Sequence, residues 1–225
     1  MTNAVALVDE LDTEGCIAAS LAAAEGRTAP FVNWRAGHIL PESLAAEAAG
    51  LPLSPVELGG ISGKRDLHND QRAYFAGDVL TCFPAARRIA GAFQSPDVVQ
   101  ALMVLTGALL VGTYLRIEYA IDLDGFWLEP HTDLGVKAFT LLLQLGQAGQ
   151  EGLGTDLYRA PGDWAESVPF GWNTALLFVP SDNSWHGLEP RRFDGARRSI
   201  IVNYVTEDWR AREQLAFPDR PVRGL

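Results

Sequence analysis

The spacing of apolar positions divides the chain into two unlike halves. Before residue 112 they recur every three to four residues, as on amphipathic helices. Ile17–Ala24 is alanine-rich, and Pro41-Glu-Ser-Leu-Ala-Ala-Glu-Ala-Ala opens with a proline suited to a first helical turn. Phe83–Phe93 and Ser95–Thr106 keep the same period, with Ser95-Pro96-Asp97 as a start signal and Gly107 as a stop. Beyond Gly112 the pattern changes to short apolar runs rich in β-branched and aromatic residues: Tyr114–Ile121, Ala138–Leu145, Ala175–Val179 and Ser199–Val205. Asp124-Gly125, Pro161-Gly162 and Asp194-Gly195 supply turns between them. Strands separated by turns rather than helices predict an antiparallel sandwich or barrel. Asp208–Leu215 predicts a short closing helix. The fold class is therefore α+β with a mainly β core. One domain is expected over 1–225, made of a mostly helical layer (1–112), a β core (113–206), and a C-terminal helix and tail (207–225).

Composition narrows the function classes. With 48% hydrophobic and 20% charged residues, the 225-residue chain reads as a globular protein with a sizeable core. A formal net charge of -10 leaves no basic excess to release counterions from a phosphate backbone, so neither nucleic acid nor an anionic membrane is expected as a partner. The charge is uneven: residues 1–60 hold eight acids and two bases, whereas Arg191 to the end holds eight arginines and five acids. Some of those arginines are candidates to meet an anion in a site. Cys16 and Cys82 read as small core hydrophobes rather than a disulfide framework. The opening MTNAVALVDELDTEG lacks a basic region and a long apolar run, so a cytoplasmic setting without leader or membrane span is expected.

The candidate chemistry lies in few residues. Of the four histidines, His38 and His68 read as structural or surface groups, and His68 sits in a polar stretch within residues 60–80 that suits a lid. His131 and Asp133 stand two apart in Glu129-Pro-His-Thr-Asp, so on extended backbone both point to one side. His186 follows 53 residues after Asp133, shortly after an apolar strand. Two imidazoles and one carboxylate on one face form the triad that holds Fe(II) with open positions. Eleven residues past His186, Arg197 and Ser199 share a strand face and offer a guanidinium fork plus a hydroxyl, a good match to a carboxylate. A one-residue register slip would put Arg198 there instead. Lys137 and Asn183 flank the ligands and are candidate substrate contacts, with a strand-edge solubiliser and a turn stabiliser as their plainer readings.

On His131-Thr-Asp133, His186, Pro190 and Arg197-Arg-Ser199, the segment from about Tyr114 to Tyr204 resembles the 2-oxoglutarate/Fe(II)-dependent dioxygenases. Glu129-Pro-His-Thr-Asp, with Tyr119 upstream, resembles the prolyl-hydroxylase-like bacterial branch. The resemblance implies a double-stranded β-helix, a jelly roll of the cupin-like kind, with iron held by His131, Asp133 and His186 as the catalytic centre. It implies 2-oxoglutarate and O2 as co-substrates, with the distal carboxylate of 2-oxoglutarate on Arg197 and Ser199. It further implies that Tyr119 bonds the co-substrate or lines the substrate pocket. The implied outcome is hydroxylation of an unactivated C–H with release of succinate and CO2. Halogenation is disfavoured because Asp133 is present. A small molecule, an amino acid or peptide, or a sugar all remain open as substrate. Two other readings stand beside this one: a cupin-like metal protein using Zn or Mn without 2-oxoglutarate (an isomerase or a binding module), and a catalytically silent partner-binding barrel.

Overall fold

The computed structural model describes residues 12–55, 63, 72–133 and 135–225. Five α-helices among them lie in the first half: α1 (Thr13–Ala22), α2 (Glu42–Ala49), α3 (Gly77–Cys82), α4 (Pro84–Gln94) and α5 (Pro96–Thr106). Their ends follow local chemistry. Asp12 caps α1 by accepting from Gly15 N–H, and Ser95 caps α5 by accepting from Val98 N–H. Prolines occupy the first turns of α4 and α5, and Gly107 ends α5 in the left-handed conformation at φ 73°.

The described residues also form eleven strands. Three precede the β-rich half, namely β1 (Glu25–Arg27), β2 (Asn33–Gly37) and β3 (Ala73–Tyr74). The others are β4 (Tyr114–Asp122), β5 (Leu128–His131), β6 (Lys137–Leu145), β7 (Asp156–Ala160), β8 (Asp163–Ser167), β9 (Trp172–Phe178), β10 (His186–Leu188) and β11 (Arg197–Val205). They make a seven-stranded sheet ordered β1-β2-β9-β6-β11-β4-β3 and a four-stranded sheet ordered β5-β10-β7-β8, with antiparallel pairing throughout. Two facing antiparallel sheets of this order form the double-stranded β-helix, with the helices on the outer face of the larger sheet.

Strand alternation decides what each face does. Across β4, β11 and β6, Leu115, Ile117 and Tyr119 align with Tyr204, Val202 and Ile200, and these with Phe139, Leu141 and Leu143. All are buried in the main core beneath the helices, with Leu44, Ile89, Phe93 and Leu102. The opposite face carries Arg116, Glu118, Asp122, Thr140, Gln144, Arg197, Ser199 and Asn203, all buried and polar. A smaller apolar cluster of Phe31, Leu157, Val168, Leu176 and Phe178 closes the space between the sheets.

Three expectations need correction. The closing helix over Asp208–Leu215 is a single 3-10 turn, Arg212–Gln214, whose Gln214 accepts from Arg116 Nε at 3.0 Å. The mostly helical first half also contains β1 and β2, which extend the large sheet through β9; glycines at 26 and 37 and the polar Asn33-Trp-Arg stretch hid them. Cys16 is buried as expected, but Cys82 is exposed at the end of α3. His38 is on the surface, and its carbonyl accepts from Ser20 Oγ and Cys16 Sγ. His68 and most of the expected lid over 60–80 lie outside the described residues. No helix among the described residues is long and apolar enough to cross a membrane.

Candidate metal centre and its cavity

His131 ends β5, Asp133 stands two residues beyond it, and His186 opens β10, which pairs with β5 so that His186 and His131 are register partners. One ligand atom from each of the three lies within 4.8 Å of the others. The imidazole Nε2 atoms stand 3.7 Å (His131) and 3.9 Å (His186) from the Asp133 carboxylate, and the ring centroids are 4.3 Å apart. Gly187 makes the approach possible, because a Cβ there would sit 2.7 Å from the carbonyl oxygen of Leu128.

The tautomers suit ligation. Each Nδ1 is 2.9 Å from a backbone carbonyl two residues earlier, Glu129 O for His131 and Ser184 O for His186. A carbonyl only accepts, so Nδ1 carries the proton and the Nε2 lone pair points inward. Burial, with His131 adding to it, pushes His186 down to about 4, which keeps it neutral. Burial alone would raise Asp133, but Lys137, His186 and His131 outweigh it and hold its carboxyl well below the usual range. Both Asp133 oxygens have donors: Lys137 Nζ to Oδ1 at 2.7 Å and Thr140 Oγ1 to Oδ2 at 2.8 Å. Thr140 in turn accepts from Asn203 Nδ2 at 3.0 Å, and Asn203 Oδ1 accepts from Arg116 Nη1 at 3.1 Å. Two imidazole nitrogens and one carboxylate, with no thiolate, fit a divalent ion of the iron or zinc type.

The cluster opens on a cavity of about 560 Å³, ample for a drug-sized ligand. Arg197 and Ser199 line it, on the same side of β11. Arg197 Nη1 donates to Asp122 at 2.7 Å and its Nε to the Leu153 carbonyl at 2.7 Å, while the guanidinium lies over Phe170 at 4.6 Å. Arg198 is on the opposite face, where it acts on Tyr119, so the register favours Arg197 as the cavity residue. Lys137 also lines the cavity.

Two sequence candidates are elsewhere. Tyr119 falls on the helix face of β4; its hydroxyl donates to Ala48 O at 2.7 Å, its ring stacks with Phe75, and burial pushes its pKa up to about 12. Alternation excludes it from the cavity. Asn183 is exposed in the turn before β10 and accepts from Ser181 Oγ at 2.7 Å, which matches its plainer turn-stabilising reading.

Two residues were missed. Gln144 lines the cavity directly across the register from Ser199; its Oε1 accepts from Gly171 N and Thr174 Oγ1, and its buried Nε2 has no partner among the described residues. Asp156 is fully buried on β7, beside β10, and is held by Arg191, Ser167 Oγ and Glu189 N. Burial would raise Asp156, but those donors bring its pKa below the ordinary carboxylate value. Gln144 carried a signal: a polar residue in step with Thr140 on a run that is otherwise apolar. Asp156 carried none, since its partner lies 35 residues away.

Fold and site together define the class: a double-stranded β-helix with a two-histidine, one-carboxylate centre at its mouth. Solved structures agree on the fold. The chain is similar to a prolyl-4-hydroxylase from Pseudomonas putida, at 18% identity and TM-score 0.55, over 86% of this chain and 99% of that one. It is also similar to a prolyl hydroxylase from Trichoplax adhaerens, solved with a hypoxia inducible factor oxygen degradation domain peptide, at 16% identity and TM-score 0.58 over 94% and 96%. A non-haem α-ketoglutarate-dependent epimerase from nogalamycin biosynthesis matches at 16% identity and TM-score 0.53 over 86% and 83%. No family profile matches the chain. No curated protein matches it in sequence.

Proposed function

We propose that this protein is an Fe(II)- and 2-oxoglutarate-dependent dioxygenase that oxidises an unactivated C–H bond of a small molecule, an amino acid or peptide, or a sugar. The observation that carries the reading is one cavity holding both a metal-ready triad and a wall of carboxylate donors, formed by Arg197, Ser199 and Gln144. A zinc or manganese cupin gives that wall no task. Iron would supply the oxygen chemistry, with 2-oxoglutarate as electron donor leaving as succinate and CO2. The chain supplies the rest. Backbone carbonyls orient His131 and His186, and Lys137 and Thr140 fix Asp133. Arg197, Ser199 and Gln144 orient the distal carboxylate of the oxoacid, and the buried wall around them keeps water away from it. Hydroxylation is the expected outcome.

The test is spectroscopic. Under anaerobic conditions, Fe(II) and 2-oxoglutarate together give the weak visible charge-transfer band of the chelate. The band is lost in His131→Ala and Asp133→Ala. Protein that binds Fe(II) yet shows no affinity for 2-oxoglutarate refutes the dioxygenase reading in favour of the metal-only barrel.

A further inference from the structure

A line of polar side chains crosses the large sheet at one level. Arg116 on β4 is the register partner of Asn203 on β11, and Asn203 is that of Thr140 on β6. All three are buried, Asn203 completely. One step along the same face, the register sets Glu118, Ile201 and Leu142 together, and two apolar residues interrupt any such line. The polar line ends on the triad. Arg116 Nη1 bonds Asn203 Oδ1 at 3.1 Å, Asn203 Nδ2 bonds Thr140 Oγ1 at 3.0 Å, and Thr140 Oγ1 bonds Asp133 Oδ2 at 2.8 Å.

Donor and acceptor chemistry gives these bonds one direction. A guanidinium only donates, so the Asn203 atom facing Arg116 is its carbonyl oxygen. The amide nitrogen therefore faces Thr140, and it too only donates. Thr140 accepts there with its oxygen, which leaves its single hydroxyl proton for Asp133, an ionised carboxylate that only accepts. The starting end is itself held in place. Arg116 also donates to Gln214 at 3.0 Å and to Tyr74 and Glu118 at 3.2 Å, and it stacks on Trp209 at 4.9 Å. A hydroxyl is a free rotor by nature; this one is aimed by residues of three strands and the C-terminal turn.

We infer that Asn203 is a positioning residue for metal ligation: through Thr140 it commits a hydroxyl proton to Asp133 Oδ2 and so presets how that carboxylate meets the ion. This rests on the triad of the dioxygenase reading and needs no 2-oxoglutarate. Lys137 grips the other oxygen from the cavity side, with its side chain 23% exposed, and the relay is the buried half of the grip. A carboxylate free to turn would have to be ordered by the ion itself, at a loss of affinity. Partners of this kind, one bond removed from the metal, are worth about ten- to a hundredfold in metal binding.

The experiment titrates the full chain anaerobically with Fe(II) alone, by calorimetry, and with Co(II), whose visible absorption reports the geometry of its ligands. Thr140→Val keeps the shape and removes the hydroxyl, so both ions should bind about tenfold more weakly, and Thr140→Ser should restore most of the affinity. Asn203→Asp keeps an oxygen for Arg116 but sets an acceptor against Thr140, which draws the hydroxyl proton away from Asp133. It also adds a charge, so it is measured again in the Thr140→Val background, where the charge stays and the relay is gone. The cost of Asn203→Asp should be about tenfold greater with Thr140 in place, and its change in the Co(II) spectrum should appear only there. Asn203→Leu, which leaves the hydroxyl undirected, is the second variant, and its loss of affinity should likewise vanish in that background. Urea midpoints establish that each variant is folded. Equal effects in the two backgrounds overturn the inference and leave Asn203 a packing residue, as does unchanged metal affinity in Thr140→Val. An unaltered protein that binds neither ion overturns the triad itself, and this role for Asn203 with it.

Discussion

Replacing Arg197 should damage two things at once, and the structure says how to separate them. Its guanidinium is buried against Asp122, with side-chain exposures of 7% and 2% and a contact of 2.7 Å. Arg197→Ala therefore removes a proposed carboxylate contact and also strands a buried acid. Stranding one partner of such a pair costs about 3–5 kcal/mol. The lost bond to Leu153 O and the lost cover over Phe170 add to that. A drop in 2-oxoglutarate affinity in this variant alone would be uninterpretable. Arg197→Ala combined with Asp122→Asn removes the uncompensated charge, so most of the stability should return; urea unfolding of both variants measures this. Affinity for 2-oxoglutarate, followed by the anaerobic visible band, should remain at least about 30-fold weaker in the double variant, as expected when a charge partner is truncated. If the double variant recovers stability and also binds 2-oxoglutarate normally, Arg197 serves only to neutralise Asp122, and its assignment to the co-substrate is wrong.

Three further outcomes follow from the same geometry. Gln144→Glu keeps an oxygen for Gly171 and Thr174 but turns the unpartnered donor into an acceptor, so 2-oxoglutarate should bind about tenfold or more weakly while Fe(II) binding by His131, Asp133 and His186 persists; isothermal titration with each ligand reads the difference. Arg191→Met removes the cation from Asp156, beside the strand of His186, while Ser167 Oγ and Glu189 N–H stay on it, and should cost about 2 kcal/mol near neutral pH, read as a fall in urea midpoint. Since Asp156 is held below its unfolded value of about 3.9, its stabilisation is complete above that pH and is lost as pH falls through the folded value. The gap between the two proteins should therefore narrow in acid, and an unchanged gap refutes the pairing. Gly187→Ala forces a methyl against Leu128 O and should lower Fe(II) affinity by moving His186; metal titration of the folded variant checks it.

Much of this was legible because it is local. Ser95 and Gly107 mark the ends of α5 through capping chemistry that acts within four residues. Runs of β-branched and aromatic residues mark the long strands of the large sheet to within a few residues of their ends. The short strands of the small sheet were not legible as strands, since β5 and β10 are only four and three residues long and are held by pairing with distant chain. Tyr119 is the instructive miss, because its position was readable. In Tyr114–Asp122 the polar residues Arg116, Glu118 and Asp122 fall on even numbers, and Leu115, Ile117, Tyr119 and Ile121 on odd ones. Two-residue alternation therefore puts Tyr119 with the core, and treating it singly as a polar aromatic overlooked its neighbours.

The same alternation explains why the site can be argued as a whole. A barrel wall filled with Arg116, Glu118, Asp122, Arg197 and Asn203 is a poor way to gain stability, since burying paired charges roughly breaks even and apolar side chains of equal volume do as well or better. Here the outer face of the same three strands is packed with leucine, isoleucine, valine and aromatics, so the polarity is confined to one side of each strand. Such a departure from apolar filling is expected where binding is the task. Pairing consumes the acceptors on that side. The donor left over beside Ser199 is Gln144 Nε2. A carboxylate lying between that wall and the metal-ready triad would give this donor its acceptor, a need that no residue of the wall meets.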